Sequence, residues 1–257
     1  MCKKLPIFVI NMERDKDRKS YITKKLNEHQ LSFNFIKAVD GRLLDDRYIS
    51  QITSKNKTIN SIGREMSRGE IGCVMSHLHI YQKMVDEDIR RAIILEDDID
   101  INCDNFDEII DFLAKENSNN PQVNLLTRVT SYLGKNTNKI NDVYSVARVV
   151  QALSTAGYVI NQAAARQMLD VNKKVWIVAD DWVRYRMHTD IDISCITPYV
   201  IKENPSIANQ SSITNERNKK IKTRTIRYIL SRNKNKVIAD IKKYFWLIPF
   251  KGYVRVK

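Results

Sequence analysis

The amino-acid sequence predicts an α/β domain with a mixed, mostly parallel sheet over residues 1–213, followed by a basic amphipathic helical tail over residues 214–257. Short apolar runs alternate with segments of helical spacing through the first part, and the excess positive charge is confined to the second. With 43% hydrophobic residues in a chain of 257, there are enough apolar side chains to bury a large core. The 7 Gly and 5 Pro are too few for a collagen-like or linker-rich protein.

The first elements of the chain have the order of a parallel α/β sheet. Ile7–Ile10 is a short apolar run that predicts a strand, and the polar segment after it has helical spacing. Residues 33–39 alternate as a second strand would and end at a turn formed by Asp40 and Gly41. Residues 42–66 are polar and weakly periodic, so they predict no definite element.

A long helix and a buried strand are predicted next. Ser67 and Glu70 have the spacing of a capping box, and apolar side chains follow along one helical face as far as Val85. After Arg91, residues 92–95 are continuously apolar and too few for a helix of that hydrophobicity, so we expect a central strand at 91–95. This strand leads directly into three carboxylates at 96–98.

Strands and helices continue to alternate in the second half. The predicted elements are a helix at 104–115, strands at 124–129 and 155–160, a helix from the N-cap Asn161 to Leu169, and strands at 175–178 and 191–199. In the tail, apolar side chains fall on one face of a basic helix that ends before Pro249, namely Ile226, Ile229, Leu230, Val237, Ile241, Tyr244 and Ile248.

The charge distribution separates the tail from the rest of the chain. Residues 1–213 carry 29 basic and 28 acidic side chains, whereas residues 214–257 carry 14 basic and 2 acidic ones. The first part is therefore almost neutral, and the net charge of +13 is concentrated at the C-terminal end. A basic helix with an apolar face is typical of segments that lie on anionic membranes.

The cysteines and the N-terminus favour a reducing, cytoplasmic environment. The four cysteines show no metal-binding or disulfide spacing, and the first apolar run stops at Asn11, too early for a signal peptide. No run reaches the roughly 18 apolar residues of a membrane-spanning helix. We expect a cytoplasmic protein whose basic tail can place it on an anionic membrane surface.

The acidic run Glu96–Asp98 is the sharpest candidate for chemistry. It follows a predicted central strand, and α/β sheets bind ligands at the carboxyl ends of their strands. In an extended segment Glu96 and Asp98 point to the same side, where two carboxylates can hold a hard divalent cation that grips a diphosphate. The alternative is a solvated turn whose acids merely end a strand.

A second acidic run, Asp180–Asp181, follows the apolar segment 175–178. A carboxylate opposite the first run could serve as a general base, but an aspartate at this position could equally cap the next helix. Glu70 and His77 lie seven residues apart on one helical face, which favours satisfied, partly buried side chains over a metal site.

Several chemistries are excluded because their signatures are missing. The sequence has no G-x-G-x-x-G, Walker A, G-x-S-x-G or H-E-x-x-H motif. Metal-assisted handling of a phosphorylated substrate remains, either by a sugar transferase or by another phosphate-ester enzyme such as a nucleotidyltransferase. A nucleic-acid-binding protein that uses the basic tail is the alternative from another class.

Six segments together resemble the ordered motifs of glycosyltransferase family 25, the lipooligosaccharide biosynthesis glycosyltransferases. They are IFVINMERDKDR at 7–18, AVDGR at 38–42, GEIGCVMSH at 69–77, IILEDDI at 93–99, STAGYVIN at 154–161 and NPSIANQSSI at 204–213. The resemblance implies a GT-A type fold, a UDP-hexose donor with galactose favoured, a divalent metal (Mn²⁺, or else Mg²⁺), and a lipid-linked oligosaccharide acceptor.

The resemblance also implies roles for individual residues. Asp98 and Glu96 stand where the family has its metal-binding acids, with Asp98 as the direct ligand, and Asp97 belongs to the same motif. Asp181 matches the family's acidic position after an apolar strand and is the expected base of an inverting transfer, with Asp180 as the alternative. The residues expected to bind the donor, besides Glu96 and Asp97, are Asn11, Arg18, Asp40 and Gly41.

Overall fold

The computed structural model describes residues 4–116, 118–208 and 253–256. Its strands are β1 Ile7–Asn11, β2 Asn34–Lys37, β3 Arg91–Glu96, β4 Ile99–Ile101, β5 Gln122–Leu125, β6 Ser131–Leu133, β7 Asn138–Lys139, β8 Ser145–Gln151, β9 Gly157–Asn161, β10 Asp192–Thr197, β11 Ile201–Glu203 and β12 Tyr253–Arg255. The helices are α1 Lys16–Glu28, α2 Asp46–Ile52, α3 Lys55–Ile62, α4 Arg68–Asp86, α5 Phe106–Lys115, α6 Gln162–Val171, α7 Trp182–His188 and α8 Pro205–Ala208, with a 3-10 turn at Gly41–Leu43.

A mixed sheet forms the centre of the fold, as the sequence predicts. Its strand order is β12-β6-β8-β10-β5-β9-β3-β1-β2, with β7 paired to β8. The central strands β2, β1, β3, β5 and β10 share one direction, and β9 runs against its neighbours β3 and β5. A separate two-stranded ribbon pairs β4 with β11.

Helices cover both faces of the sheet and produce two apolar cores. On one face, α4, α6 and α7 pack against β1, β3 and β9, with Tyr158 and Trp182 among the fully buried side chains. On the other face, α1 and α5 bury Ile22, Leu26 and Phe106 against the alternate residues of the same strands. Because β3 is buried on both sides, residues 92–95 form a continuous apolar run.

Two predicted strands differ from the structure. Residues 175–178 form a loop that is joined to the end of α2 by an isolated bridge between Val175 and Thr53. Its backbone is satisfied by Asn172, whose side-chain oxygen accepts from Trp176 N at 3.2 Å and Ile177 N at 3.3 Å. Burial without a neighbouring strand therefore accounts for the apolar run.

The strand predicted at 124–129 corresponds to β5, Gln122–Leu125. It begins and ends earlier than predicted and is shorter. The carbonyl of Leu126 then accepts from the backbone N–H groups of Val200 and Ile201, at 3.0 and 2.9 Å, so the chain leaves the sheet. The remaining predicted elements correspond to β1, α1, β2, α4, β3, α5, β9, α6 and β10, with boundaries shifted by a few residues.

The predicted amphipathic helix of the tail falls on residues 226–248, which lie outside the described residues. At the end of the tail, β12 pairs antiparallel with β6 at the sheet edge opposite β2. Within the described residues, no helix combines the length and the apolar character that crossing a membrane would require.

Candidate active site

The carboxyl ends of β1, β2 and β3 meet at one edge of the sheet and open into a cavity of about 230 Å³. The register places Ile10 beside both Glu96 and Ile36, so the segments that follow these strands converge. The cavity is lined by residues from these strand ends, the start of α1 and one face of α4: Ile10, Met12, Arg14, Asp15, Arg18, Ala38, Val39, Asp40, Arg42, Gly69, Cys73, Ser76, His77, Glu96, Asp97 and Asp98.

The first acidic run lies at the inner side of this cavity. Glu96 is the last residue of β3, and its Oε1 accepts from Thr155 Oγ1 at 2.6 Å. Asp97 and Asp98 belong to the turn before β4 rather than to an extended segment, yet both line the cavity together with Glu96. The predicted convergence of the carboxylates is therefore present, although a turn produces it.

Two neighbouring side chains hold Asp97 and Asp98. Asn11 Nδ2 donates to Asp97 Oδ2 at 2.6 Å, and Arg18 Nη2 lies 2.8 Å from Asp97 Oδ1. The same guanidinium forms an ion pair with Asp98. One arginine thus bridges two adjacent carboxylates and fixes their orientation relative to α1.

The carboxylates of the run disfavour one another's charge. Burial raises the pKa of Glu96 to about 8, and the nearby negative charge of Asp98 contributes to this increase. Burial also raises the pKa of Asp97 and of Asp98, against the opposing effect of Arg18. Crowded carboxylates with raised pKa values are typical of functional sites that bind cations or move protons.

Two buried polar atoms in the cavity lining have no hydrogen-bond partner within the described residues. They are Asp98 Oδ1, which is an acceptor, and Arg18 Nε, which is a donor. The lining as a whole contains five acidic side chains and three arginines, which leaves an excess of negative charge. A cation beside a phosphate-bearing ligand would satisfy the acceptor, the donor and the charge together.

The residues present fit a divalent cation of the oxygen-seeking type. Within the described ranges, no group of three or more His, Cys, Asp and Glu side chains is arranged as a complete metal site. Glu96 and Asp98 would supply carboxylate oxygens, and water or ligand phosphate oxygens would supply the rest, as is common for Mg²⁺. The free Asp98 Oδ1 is the atom that such a cation would use first.

The loop after β2 brings Asp40 and Gly41 to the opposite wall. Asp40 caps the 3-10 turn by accepting from Arg42 N at 3.2 Å, and its carboxylate forms ion pairs with Arg42 and Arg14. Gly41 lies so close to α4 that a β-carbon would be 1.7 Å from the carbonyl oxygen of Arg68. Only glycine permits this approach, which sets the position of the loop.

Helix α4 forms the third wall. Its N-terminus has the predicted capping box, in which Glu70 N donates to Ser67 Oγ at 3.1 Å and Ser67 N donates to Glu70 Oε2 at 2.8 Å. Further along, Ser76 Oγ accepts from Val39 N at 2.8 Å and thereby ties the helix to the end of the β2 segment.

Glu70 and His77 are both satisfied, as predicted, but they are fully rather than partly buried and have different partners. Glu70 forms a bidentate ion pair with Arg64, with both N–O distances at 2.6 Å. His77 Nδ1 lies 2.7 Å from the hydroxyl of Tyr158, and burial lowers the pKa of His77 to about 4. His77 is therefore a neutral imidazole in the cavity wall.

The second acidic run lies at the start of α7, outside the residues that line the cavity. Asp181 is the N-cap: its Oδ1 accepts from Arg184 N at 3.0 Å and its Oδ2 from Arg184 Nε at 2.9 Å. The cap that the sequence allowed is thus present. The run is connected to the cavity indirectly, because Trp182 packs edge-on against Tyr158 at 5.2 Å and donates to the carbonyl of Ser154 at 2.7 Å.

Some residues around the site were missed by sequence reasoning. Thr155 holds Glu96, and Asn204 N donates to the Asp98 carbonyl at 2.7 Å, while the Asn204 side chain donates to Tyr21 and Asp100 at 2.7 and 3.0 Å. Both residues begin or lie within segments that resemble family motifs, so the motif boundaries were the available signal.

Comparison of the sequence with known proteins identifies a family that includes the residues of this cavity. The model of glycosyltransferase family 25 (LPS biosynthesis protein) matches residues 4–183. That range includes β1, β2, β3 and α4, and therefore the whole lining of the cavity.

Curated relatives match only part of their own length. Procollagen galactosyltransferase 2 of Homo sapiens is 28% identical over 65% of this chain and 27% of its own. A glycosyltransferase 25 family member of Aedes aegypti is 38% identical over 36% of this chain and 16% of its own. A probable inactive glycosyltransferase 25 family member 3 of Rattus norvegicus is 28% identical over 63% and 29%. The chain thus spans less than a third of these relatives.

A solved glycosyltransferase involved in glycosylation of the major capsid of PBCV-1 aligns with 66% of this chain and 65% of its own, at 8% identity and a TM-score of 0.33. That score is too low to establish a shared architecture. The family model, in contrast, covers more than half of the sequence, and on that match the chain belongs to glycosyltransferase family 25.

Proposed function

We propose that the protein transfers a hexose, galactose in preference, from a UDP-sugar to a glycan acceptor. The proposal rests mainly on two polar atoms in the cavity, Asp98 Oδ1 and Arg18 Nε, that have no hydrogen-bond partner among the described residues. A nucleoside diphosphate with its cation offers both complements, a metal ion for the carboxylate and phosphate oxygens for the guanidinium. The names of the relatives support galactose as the sugar.

In this proposal Glu96 and Asp98 would hold Mn²⁺ or Mg²⁺, which when bound neutralises charge on the departing UDP. Arg18 orients Asp98 and offers its Nε to the donor. Arg14 and Arg42 flank Asp40 at the mouth of the cavity, where their remaining N–H groups can reach phosphate oxygens. Asn11 and Gly41 set the walls against which the donor lies.

We assign the general base of an inverting transfer to Asp181, with Asp180 as the alternative. The segment that holds Asp181 resembles the family's acidic position after an apolar strand, and this resemblance supports the assignment. Its role as a helix cap supports the competing, structural explanation. Substitution distinguishes the two, because a base affects turnover and a cap affects the free energy of unfolding.

A nucleotidyltransferase is less well supported. A two-metal mechanism needs a second carboxylate cluster facing the first. Among the described residues the second acidic run does not line the cavity, and Asp181 is occupied by the helix cap and Arg184.

The test is UDP release by the purified protein with UDP-galactose, UDP-glucose and UDP-N-acetylhexosamines, with and without Mn²⁺. We expect turnover with UDP-galactose in the presence of an acceptor, loss of turnover in EDTA, and recovery on addition of Mn²⁺. Equal rates in EDTA and Mn²⁺ would contradict the metal assignment. If no sugar nucleotide is turned over in the presence of either lipooligosaccharide or procollagen, the proposed transferase activity would be contradicted.

The acceptor class needs a separate comparison. We propose a lipid-linked lipooligosaccharide chain, in keeping with the description of the family model, whereas the human relative is named for procollagen. Purified lipooligosaccharide and procollagen, offered in parallel with UDP-galactose, distinguish the two. Transfer to procollagen alone would contradict the proposed acceptor.

We further propose that residues 214–257 hold the protein on the cytoplasmic face of the inner membrane, where a lipid-linked acceptor is reached. Their 14 basic residues support this, because each contributes about 1 kcal/mol near an anionic surface. Replacing Lys219, Lys220, Lys242 and Lys243 with Gln leaves β12 unaltered. We expect this variant to sediment less with anionic vesicles than the unaltered protein, and unchanged sedimentation would contradict the proposal.

A further inference from the structure

A buried chain of three hydrogen-bonding side chains leads from the core to the cavity. The hydroxyl of Tyr81 lies 2.6 Å from the hydroxyl of Tyr158, which in turn lies 2.7 Å from His77 Nδ1. His77 is 3% exposed and lines the cavity, whereas Tyr81 and Tyr158 lie beneath it in the core. The three side chains thus connect the cavity wall to the packed face of the sheet.

All three groups are uncharged at neutral pH. Burial lowers the pKa of His77 to about 4 and raises the pKa of Tyr81 and of Tyr158 above the ordinary tyrosine value. Each hydroxyl therefore carries one hydrogen, and the imidazole carries one hydrogen on one of its two nitrogens. The direction of the chain of donors decides which nitrogen that is.

Only one direction satisfies every hydrogen. If Tyr81 donates to Tyr158 and Tyr158 donates to His77 Nδ1, each hydroxyl hydrogen has an acceptor. In the reverse direction the hydrogen of Tyr81 would need an acceptor of its own, and within the described residues its hydroxyl bonds only with Tyr158. A buried hydroxyl without an acceptor costs about 1–3 kcal/mol, so the first direction is favoured.

The favoured direction leaves the hydrogen on Nε2, which forms no hydrogen bond in the part of the chain that the structure describes. The cavity thus has a neutral N–H donor near its inner end. Two of the arginines that suit a diphosphate, Arg14 and Arg42, lie nearer to solvent, with side chains 45% and 37% exposed, whereas Arg18 lies beside the acidic run with a side chain 16% exposed. A neutral donor at the inner end matches an uncharged oxygen.

We propose that His77 is a donor-binding residue whose Nε2–H, fixed in this tautomer by Tyr158, donates to a hydroxyl of the hexose of the sugar nucleotide. The inference rests on the proposed function, because the hexose is the uncharged part of that ligand next to the metal-binding carboxylates. The position of Glu96 supports this placement. Glu96 and Ile94 are alternate residues of β3, and Ile94 is the register partner of Tyr158. Both side chains of β3 therefore face the side of the sheet that α4 covers.

The binding test compares UDP-galactose with UDP in the presence of Mn²⁺ by calorimetry, for the unaltered protein, His77→Leu and His77→Gln. We expect His77→Leu to bind UDP-galactose about 5- to 10-fold more weakly, the effect of losing one hydrogen bond, and to bind UDP unchanged. His77→Gln keeps an N–H donor and should recover most of the affinity. Equal losses for UDP and UDP-galactose would overturn the assignment to the hexose.

The tautomer test uses the ¹⁵N chemical shifts of His77 in the unaltered full-length protein, and so does not depend on the folding of any variant. We expect hydrogen on Nε2 and none on Nδ1, and the opposite pattern would overturn the proposal. Tyr158→Phe should lower the affinity for UDP-galactose by weakening this preference. The matched control is Tyr185→Phe, which removes an equally buried hydroxyl bonded to Asn172 and should leave affinity unchanged.

The two proposals fail in different ways. If the unaltered protein binds neither UDP nor UDP-galactose, both the proposed function and the role of His77 are overturned. If it binds UDP-galactose and His77→Leu binds it equally well, only the role of His77 is overturned.

Discussion

The two acidic runs have similar sequences and contrasting surroundings. Glu96–Asp98 ends a buried strand and lines a cavity, with one carboxylate oxygen that has no partner among the described residues. Asp180–Asp181 follows a loop and begins a helix, and both oxygens of Asp181 accept hydrogen bonds from Arg184. A pair of aspartates beside an apolar run therefore marks the end of one element and the start of the next. The hydrogen bonds that each carboxylate accepts then indicate whether it is available to a ligand or caps a helix.

The difference has an energetic meaning. In the first run, burial and mutual repulsion raise the pKa of the carboxyl groups. The ionised carboxylates therefore destabilise the folded protein when no ligand is bound. In the second run, the helix N-terminus and a cation stabilise the carboxylate. We expect substitutions in the first run to reduce activity at little cost in stability, and substitutions in the second to reduce stability as well.

The largest expected effect is that of Asp98→Ala. Removing a ligand of a metal that stabilises a departing diphosphate should lower turnover by about three orders of magnitude, equivalent to roughly 4 kcal/mol. The melting temperature should be unchanged or higher, because Arg18 keeps its ion pair with Asp97 and a repulsion is removed. Donor turnover and thermal denaturation measure the two quantities.

The control for Asp98→Ala is Asp104→Asn, which neutralises an exposed acid a few residues further on. It should keep both turnover and melting temperature. Transfer by Asp98→Ala at a near-normal rate in saturating donor would remove the first run from the active site.

Asp181→Asn is the second test. It decides whether the second acidic run takes part in the transfer reaction as the first is proposed to do. Loss of a general base lowers the rate by about 10²- to 10⁴-fold, whereas asparagine keeps a side-chain oxygen that can cap the helix, so the loss of stability is limited to the ion pair with Arg184, at most about 1 kcal/mol. On the proposed mechanism we expect turnover to fall about 100-fold or more with donor affinity retained. Asp180→Asn, measured alongside, is the control that identifies which of the two acids is the base.

A normal rate in Asp181→Asn would show that Asp181 is not the base and would leave it the role of a helix cap and ion-pair partner of Arg184. The contrast between the runs would then be complete, one chemical and one structural. A normal rate in Asp181→Asn with a strongly reduced rate in Asp180→Asn would instead transfer the role of base to Asp180.

Thr155→Val addresses the support of the first run and should have a smaller effect. The hydroxyl of Thr155 donates to Glu96 Oε1 at 2.6 Å, and valine keeps the shape of the side chain without the donor. We expect a loss of about 10-fold in turnover. When Glu96 holds the proposed cation it is a charged acceptor, to which a hydrogen bond contributes about 1.5–3 kcal/mol, and only part of this affects the reaction. Ser154→Ala is the adjacent control, and an equal loss in that variant would argue against a specific role of Thr155.

Sequence periodicity predicted the parts of the fold that form the site. The apolar run at 92–95, the capping box of Ser67 and Glu70, and the glycine after Asp40 each correspond to a feature that positions the cavity. These signals are local, since a buried strand, a helix N-terminus and a close backbone approach each constrain the residue types directly.

The errors arise where distant contacts decide the conformation. Residues 175–178 read as a strand because they are buried, but Asn172 satisfies their backbone in place of a sheet neighbour. Thr155 and Tyr158 reach Glu96 and His77 only because β9 is inserted beside β3, a pairing that no local pattern indicates. The strand β8 has an apolar pattern, Val146 to Val150, that could have predicted it.

The smallest expected effect concerns Arg184, the partner of the second run. Arg184 forms an ion pair with Asp181 at 2.9 Å and also donates to the carbonyl of Ser61 at the end of α3, at 3.2 Å. The pair is largely shielded from solvent, with both side chains 16% exposed, yet a single ion pair near a surface contributes at most about 1 kcal/mol, and the hydrogen bond from the charged guanidinium to the Ser61 carbonyl contributes about 1.5 kcal/mol. Arg184→Leu should therefore lower the free energy of unfolding by about 1–2 kcal/mol in a denaturant titration, while affinity for UDP-galactose stays unchanged because Arg184 does not line the cavity.

Arg166→Leu, on the exposed face of α6, is the matched control and should change neither quantity. Loss of donor affinity in Arg184→Leu alone would place the second run in contact with the ligand and weaken the contrast between the two runs.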